Sequence, residues 1–197
     1  MTPDTKLAPI VNVFELKSFY IITDIKEHEH YKPQLLDCIG RMPDANIDDG
    51  IEVVSKTDWN LSVQYRKEYL EIFTRMIDPY LKEMGTKLKC KKGNVSNAWY
   101  QVYEEGDKHD WHTHPKANYT NVYYLSLPNQ SIKTQLYDVV GECIVEDIEV
   151  KEGQILTFPA SVLHRSPVNK IDQPKKFWSF KNTVEKKVVI SFNSDFE

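Results

Sequence analysis

Gly106-Asp-Lys-His-Asp-Trp-His112-Thr-His114-Pro115 is the stretch on which the fold turns. A glycine opens it, a proline closes it, and two histidines stand two residues apart near its end. On an extended strand, residues two apart share a face, so one strand can offer the imidazoles of His112 and His114 to a single ion. A third histidine lies further on, in Gly153-Gln-Ile-Leu-Thr-Phe-Pro159-Ala-Ser-Val-Leu-His164-Arg-Ser-Pro167. There His164 stands just past an apolar strand and a proline turn. Imidazole is the commonest protein ligand for metals at neutral pH and suits Fe(II), Zn, Ni and Cu. The three histidines predict a half-open metal site with positions left for substrate or water. Pairing of the two stretches at a barrel mouth would bring them together.

The sequence around these stretches reads as strands. After Gly93, segments with β-branched and aromatic residues, punctuated by Gly, Pro and Asn, predict strands at 96–104, 110–114, 120–127, 131–138, 143–150, 154–158 and 186–193. Ahead of them, 9–23 predicts one or two strands and 25–41 a short helix, and Pro43–Gly50 reads as a polar loop. Tyr69, Leu70, Phe73, Met76, Ile77, Tyr80, Leu81 and Met84 recur every three or four residues, predicting a helix kinked at Pro79 and stopped at Gly85. The expected fold is mainly β with N-terminal helices: a jelly-roll or cupin-like barrel in one domain, 1–197. Residues 1–92 would supply supporting strands and helices, and 93–197 the β core.

Composition narrows the class. The chain has 197 residues, with 25 Lys and Arg against 29 Asp and Glu, a mildly acidic balance that argues against a nucleic-acid footprint. Cys38, Cys90 and Cys143 are odd in number and widely spaced, which points to a reducing, cytoplasmic setting rather than a disulfide framework. No apolar run approaches membrane-spanning length. The lysine-rich segment 169–187 reads as a solvated loop, and His28, His30 and His109 as polar surface histidines.

Several blocks together resemble the Fe(II)/2-oxoglutarate-dependent oxygenases, and within them a group with an HxHP motif. They are Ala98–Tyr103, Gly106-Asp107, Trp111–Pro115, Val122–Leu125, Phe158-Pro159, His164-Arg165 and Lys187–Asn193. The resemblance implies a double-stranded β-helix in which His112, His164 and a third group hold Fe(II). It also implies 2-oxoglutarate and O2 as co-substrates, with hydroxylation of a substrate and release of succinate and CO2. In most of that superfamily the third ligand is a carboxylate, in an HxD or HxE pattern. Here the position is His114, with Asp110 as the alternative.

The family also needs a basic group for the distal carboxylate of 2-oxoglutarate. The last strand alternates cleanly, with Lys187, Val189, Ser191 and Asn193 on one face and Val188, Ile190 and Phe192 on the other. Lys187 is the expected anchor, helped by Ser191, Asn193 and tyrosine hydroxyls, Tyr103 and Tyr124 foremost, with Tyr100 and Tyr123 also candidates. Two other readings stay open. One is a cupin-like metalloenzyme that does not use 2-oxoglutarate, although residues 115–121 lack the acid a cupin would carry. The other is a non-catalytic jelly-roll binding module. The prime substrate has no recognisable code in the chain.

Overall fold

The computed structural model describes residues 17–62, 65–170 and 186–197. The expected strand before residue 17 and most of the lysine-rich segment lie outside the described residues.

The chain runs β1 (Ile21–Asp24), α1 (His28–Arg41), β2 (Ile47–Asp48), β3 (Glu52–Val54), β4 (Lys56–Thr57), α2 (Glu68–Lys87) and β5 (Gly93–Tyr103). It continues through β6 (Lys108–His112), β7 (Tyr119–Ser126), a 3-10 turn at Gln130–Ile132, β8 (Gln135–Asp138) and β9 (Cys143–Ile144). β10 (Gln154–Pro159), β11 (His164–Ser166) and β12 (Lys187–Phe196) complete it. The strands form two antiparallel six-stranded sheets, one ordered β1-β10-β7-β12-β5-β4 and the other β2-β3-β6-β11-β8-β9.

Strand parity divides the core. On β12, Val188, Ile190 and Phe192 pack with Tyr69, Phe73, Met76 and Ile77 of α2 and with Leu35 and Ile39 of α1. Val189 points the other way, into a second cluster with Tyr103, Val122, Tyr124, Phe158 and Leu136, so this cluster spans the two sheets. The helices cover the outer face of the first sheet, and the inner face meets the second sheet.

Several boundaries differ from the sequence reading. β6 starts and ends two residues earlier than expected, leaving His114 beyond the strand. The expected strand at 131–138 divides into the 3-10 turn and β8, and 143–150 yields only Cys143–Ile144 as strand. The expected loop at Pro43–Gly50 contributes β2, which pairs with β3 across a turn in which Asp49 Oδ1 accepts from the Ile51 and Glu52 amides at 2.9 and 2.7 Å. α2 runs across Pro79 and past Gly85, and an added Cβ at Gly85 would lie 3.5 Å from the Phe196 ring. That residue is a close-packing position inside the helix, and its turn ends instead at Lys89 with φ 58°.

His28 is a further correction. It is buried, at 6% exposure, and its Nδ1 lies 2.7 Å from the Tyr123 hydroxyl, which ties α1 to β7. A Cβ at Gly153, where φ is +81°, would come 2.9 Å from the His28 ring, so glycine serves both the turn and the approach.

Candidate metal and anion site

The turn before β6 is built by Asp107, whose Oδ2 accepts from the Glu104 and Ser55 amides, each at 2.8 Å. Gly106 takes φ +91°, open to glycine at little cost. The chain then enters β6, where His112 stands directly opposite His164 of β11. The sequence after the strand turns back so that the His114 amide donates to the Ala160 carbonyl at 2.9 Å. His114 is therefore positioned by a backbone bond to the segment leading into β11, rather than by the strand alternation that the HxH spacing suggested.

The result is a convergent cluster. His112, His114 and His164 each offer a donor atom within 4.8 Å of the others. Their ring centroids lie 4.2 Å apart for His112 and His164, 5.1 Å for His114 and His164, and 5.2 Å for His112 and His114. His112 Nδ1 is 2.7 Å from the Asp110 carbonyl oxygen and His164 Nδ1 is 3.0 Å from that of Val162. A carbonyl only accepts, so Nδ1 carries the proton in both rings and Nε2 keeps its lone pair for a metal. Burial holds all three imidazoles below their usual range, His114 at about 4, with His112 adding to the effect on His114 and a bond to Asn193 opposing it. They are neutral at pH 7, the state that ligates. The Asp110 carboxylate is not in the cluster; it bonds Lys108 Nζ at 2.7 Å and is 44% exposed.

The same cavity continues to Lys187. It is lined by residues of both sheets, among them the three histidines, Tyr103, Gln101, Lys187 and Ser191. Lys187 is 1% exposed. Its ammonium donates to the Ile132 carbonyl at 2.7 Å and to Ser166 Oγ at 2.8 Å, and sits 4.8 Å from the Tyr103 ring centroid. Among the described residues no carboxylate pairs with it. Burial draws it down to about 7. The neighbouring Lys186 faces outward, half-exposed, and pairs with Glu104 at 2.5 Å.

The other expected site residues take different places. Tyr103 and Ser191 line the cavity, Ser191 Oγ donating to Gln101 Oε1 at 3.1 Å. Asn193 instead accepts from Thr120 Oγ1 at 3.4 Å and bonds His114. Tyr124 is buried between the sheets, its hydroxyl accepting from the Thr134 amide at 3.1 Å, and burial pushes it up to about 12. Tyr100 and Tyr123 face the helices, against Tyr69 and His28. On β5, Tyr100 and Tyr103 are three apart and cannot share a face. The sequence reading missed Trp99, Gln101 and Thr134 in the wall. Trp99 and Gln101 were legible from their even spacing to Tyr103. Trp99 lies flat against His114, with centroids 5.6 Å apart and planes 16° apart, and meets the half-exposed Trp59 at 4.5 Å.

No protein-family model and no curated protein sequence matches the chain. Solved structures do. A 2OG-Fe(II) oxygenase family oxidoreductase from Burkholderia pseudomallei superposes with a TM-score of 0.65 at 8% identity, over 89% of this chain and 85% of that one. The fold is that of 2OG-Fe(II) oxygenases. A Pseudomonas putida prolyl-4-hydroxylase has a TM-score of 0.54 at 12% identity, over 88% and 91% of the two chains. The viral collagen prolyl hydroxylase of Paramecium Bursaria Chlorella virus-1, in its 2OG complex, also has 0.54, at 14% identity over 89% and 94%. At such identities the likeness is one of fold, and the chemistry must be argued from this chain's own residues.

Proposed function

We propose that the chain is an Fe(II)- and 2-oxoglutarate-dependent oxygenase, its two sheets forming a double-stranded β-helix. The observation that carries this reading is Lys187, a buried ammonium without a carboxylate partner among the described residues, in the same cavity as three convergent neutral imidazoles. Burying an unpaired cation is costly, and an anionic ligand offsets that cost. A cupin-like enzyme without 2-oxoglutarate, or a binding module without a ligand, leaves this residue unexplained.

The donor set fits the metal. His112, His114 and His164 would hold Fe(II) through imidazole nitrogens and leave positions for other ligands. Three neutral donors cancel none of the metal's double positive charge. That excess favours a dianion, which 2-oxoglutarate is. Its distal carboxylate would lie on Lys187 Nζ, with Ser166 Oγ as a further donor and the Tyr103 ring as a wall. Lysine is a point charge rather than a fork, so orientation falls to these neighbours. When bound, Fe(II) and 2-oxoglutarate supply oxidation by O2, with succinate and CO2 released and a substrate C–H bond hydroxylated. The chain's own part is to fix the His112 and His164 imidazoles by their carbonyl bonds, to hold the co-substrate by its far end, and to line part of the cavity with Val122 and Val189.

Binding of 2-oxoglutarate to the metal-loaded chain tests the reading. A charge-assisted bond contributes about 1.5–3 kcal/mol, so Lys187→Ala should raise Kd roughly ten- to a hundredfold and leave Fe(II) binding intact. Lys186→Ala should change neither. Equal losses from both lysines would reduce the anchor to a diffuse basic patch.

A further inference from the structure

The cavity wall holds a fourth histidine that the proposed reading does not use. His109 and His112 are three residues apart, and on a regular strand they would point to opposite faces. β6 is irregular between them. His164 faces His112 and Ser166 faces His109, so Asp110 and Trp111 together oppose the single residue Arg165. This is a β-bulge, which re-aims side chains and is common beside functional sites. It brings the His109 ring parallel to that of His112, with centroids 3.7 Å apart and planes 9° apart.

His109 stands against β3. Its Nδ1 lies 3.5 Å from Glu52 Oε1, and Glu52 is the residue directly across from it on β3. Glu52 Oε1 also accepts from Gln101 Nε2 at 3.0 Å, and Gln101 Oε1 accepts from Ser191 Oγ at 3.1 Å. Hydrogen bonds thus link Ser191, on the strand of Lys187, through Gln101 to Glu52, which lies beside His109. The bond from His112 Nδ1 to Asp110 fixes one point of that imidazole, but the last torsion of a histidine is intrinsically broad. A flat neighbour in van der Waals contact removes the remaining tilt. The convergent donor set comprises His112, His114 and His164, without His109.

We infer that His109 is a positioning residue for the metal centre: its ring, lying flat against that of His112, sets the plane of the His112 imidazole and so the direction of the Nε2 lone pair. The inference rests on His112 being a metal ligand.

Co(II) titration of the metal-free chain, followed by visible absorption, tests both and keeps them apart. The wild-type chain should bind Co(II) and show ligand-field bands, and His112→Ala should lose them. His109→Ala should weaken Co(II) binding about 10- to 100-fold, the usual effect of removing a group that orients a ligand, and should shift the bands. His109→Phe keeps a flat ring without a nitrogen and should restore most of the affinity and the band positions. Wild-type affinity and spectrum in His109→Ala would overturn the inference while leaving His112 a ligand. His109→Phe behaving like His109→Ala would overturn it too, because the centre would then need a nitrogen at that position. Should His109→Ala fail to fold, His109→Phe decides alone: a retained spectrum supports positioning by the ring, and a lost one refutes it. A wild-type chain with no affinity for Co(II) would remove the metal site, and this role with it.

Discussion

A lysine buried to 1% exposure carries its charge at a cost unless an anion meets it. Burial draws Lys187 down to about 7, whereas an exposed lysine titrates near 10.4. Between those values the unfolded chain holds one more proton than the folded one, so stability rises with pH across the window. Below it the cost of the buried charge is felt in full. A carboxylate beside Nζ favours the charged form and pushes the value back up. Binding of 2-oxoglutarate at about pH 8 should therefore take up close to one proton, and at about pH 6 almost none. Calorimetric titration in buffers of different ionisation enthalpy reads that number directly, and Lys187→Met should abolish it. Absence of uptake by the wild type at about pH 8 would mean that the distal carboxylate does not meet Lys187. At this scale the sequence was informative about Lys187, because parity along β12 separates it from Lys186. It misread His109 as a surface histidine, because that residue's place in the cavity depends on a bulge that no residue pattern announces.

The elements behind the cavity are tied together by Asp58, which follows β4 and is fully buried. Its Oδ1 accepts from the Tyr100 amide of β5 at 2.9 Å, and its Oδ2 from the Tyr69 hydroxyl of α2 at 2.6 Å and from Lys67 Nζ at 2.9 Å. Removing the carboxylate leaves a buried amide and a buried hydroxyl without partners. Asp58→Ala should cost roughly 3 kcal/mol in urea denaturation. Co(II) affinity should be nearly unchanged, since Asp58 lies on the helix side of the first sheet; unaltered stability would show that the helix packing does not depend on this junction. The long elements were legible for physical reasons. α2 carries a stripe at helical spacing and β5, β7, β10 and β12 carry β-branched and aromatic runs. β2, β3, β4 and β9, with two or three residues each, are too short to show a period. Their strand character comes from the neighbours they pair with, although Asp49-Gly50 between Ile47-Asp48 and Ile51 is a recognisable hairpin signal. His28 was misread for a related reason: a polar residue at the start of a helix gives no local sign that a tyrosine hydroxyl and a glycine turn await it.

At the scale of the molecule, two sheets meet over one cavity, and each contributes a different part of the proposed chemistry. β6 and β11 of the second sheet carry His112 and His164 face to face, while β12 of the first carries Lys187. The fold was legible because the glycine, histidine and proline blocks keep an order and spacing that strands separated by turns would need. The three-histidine convergence was legible only in outline, since His114 reaches the cluster through its bond to Ala160 and not through β6. The proposed function requires a metal and a dicarboxylate to share this cavity. Anaerobic titration of the Fe(II)-loaded chain with 2-oxoglutarate measures that sharing directly. The proposed function predicts a visible metal-to-ligand charge-transfer band that saturates at one equivalent, and that in Lys187→Ala requires roughly ten- to a hundredfold more 2-oxoglutarate. Fe(II) held by the three histidines with no such band at any 2-oxoglutarate concentration would contradict it.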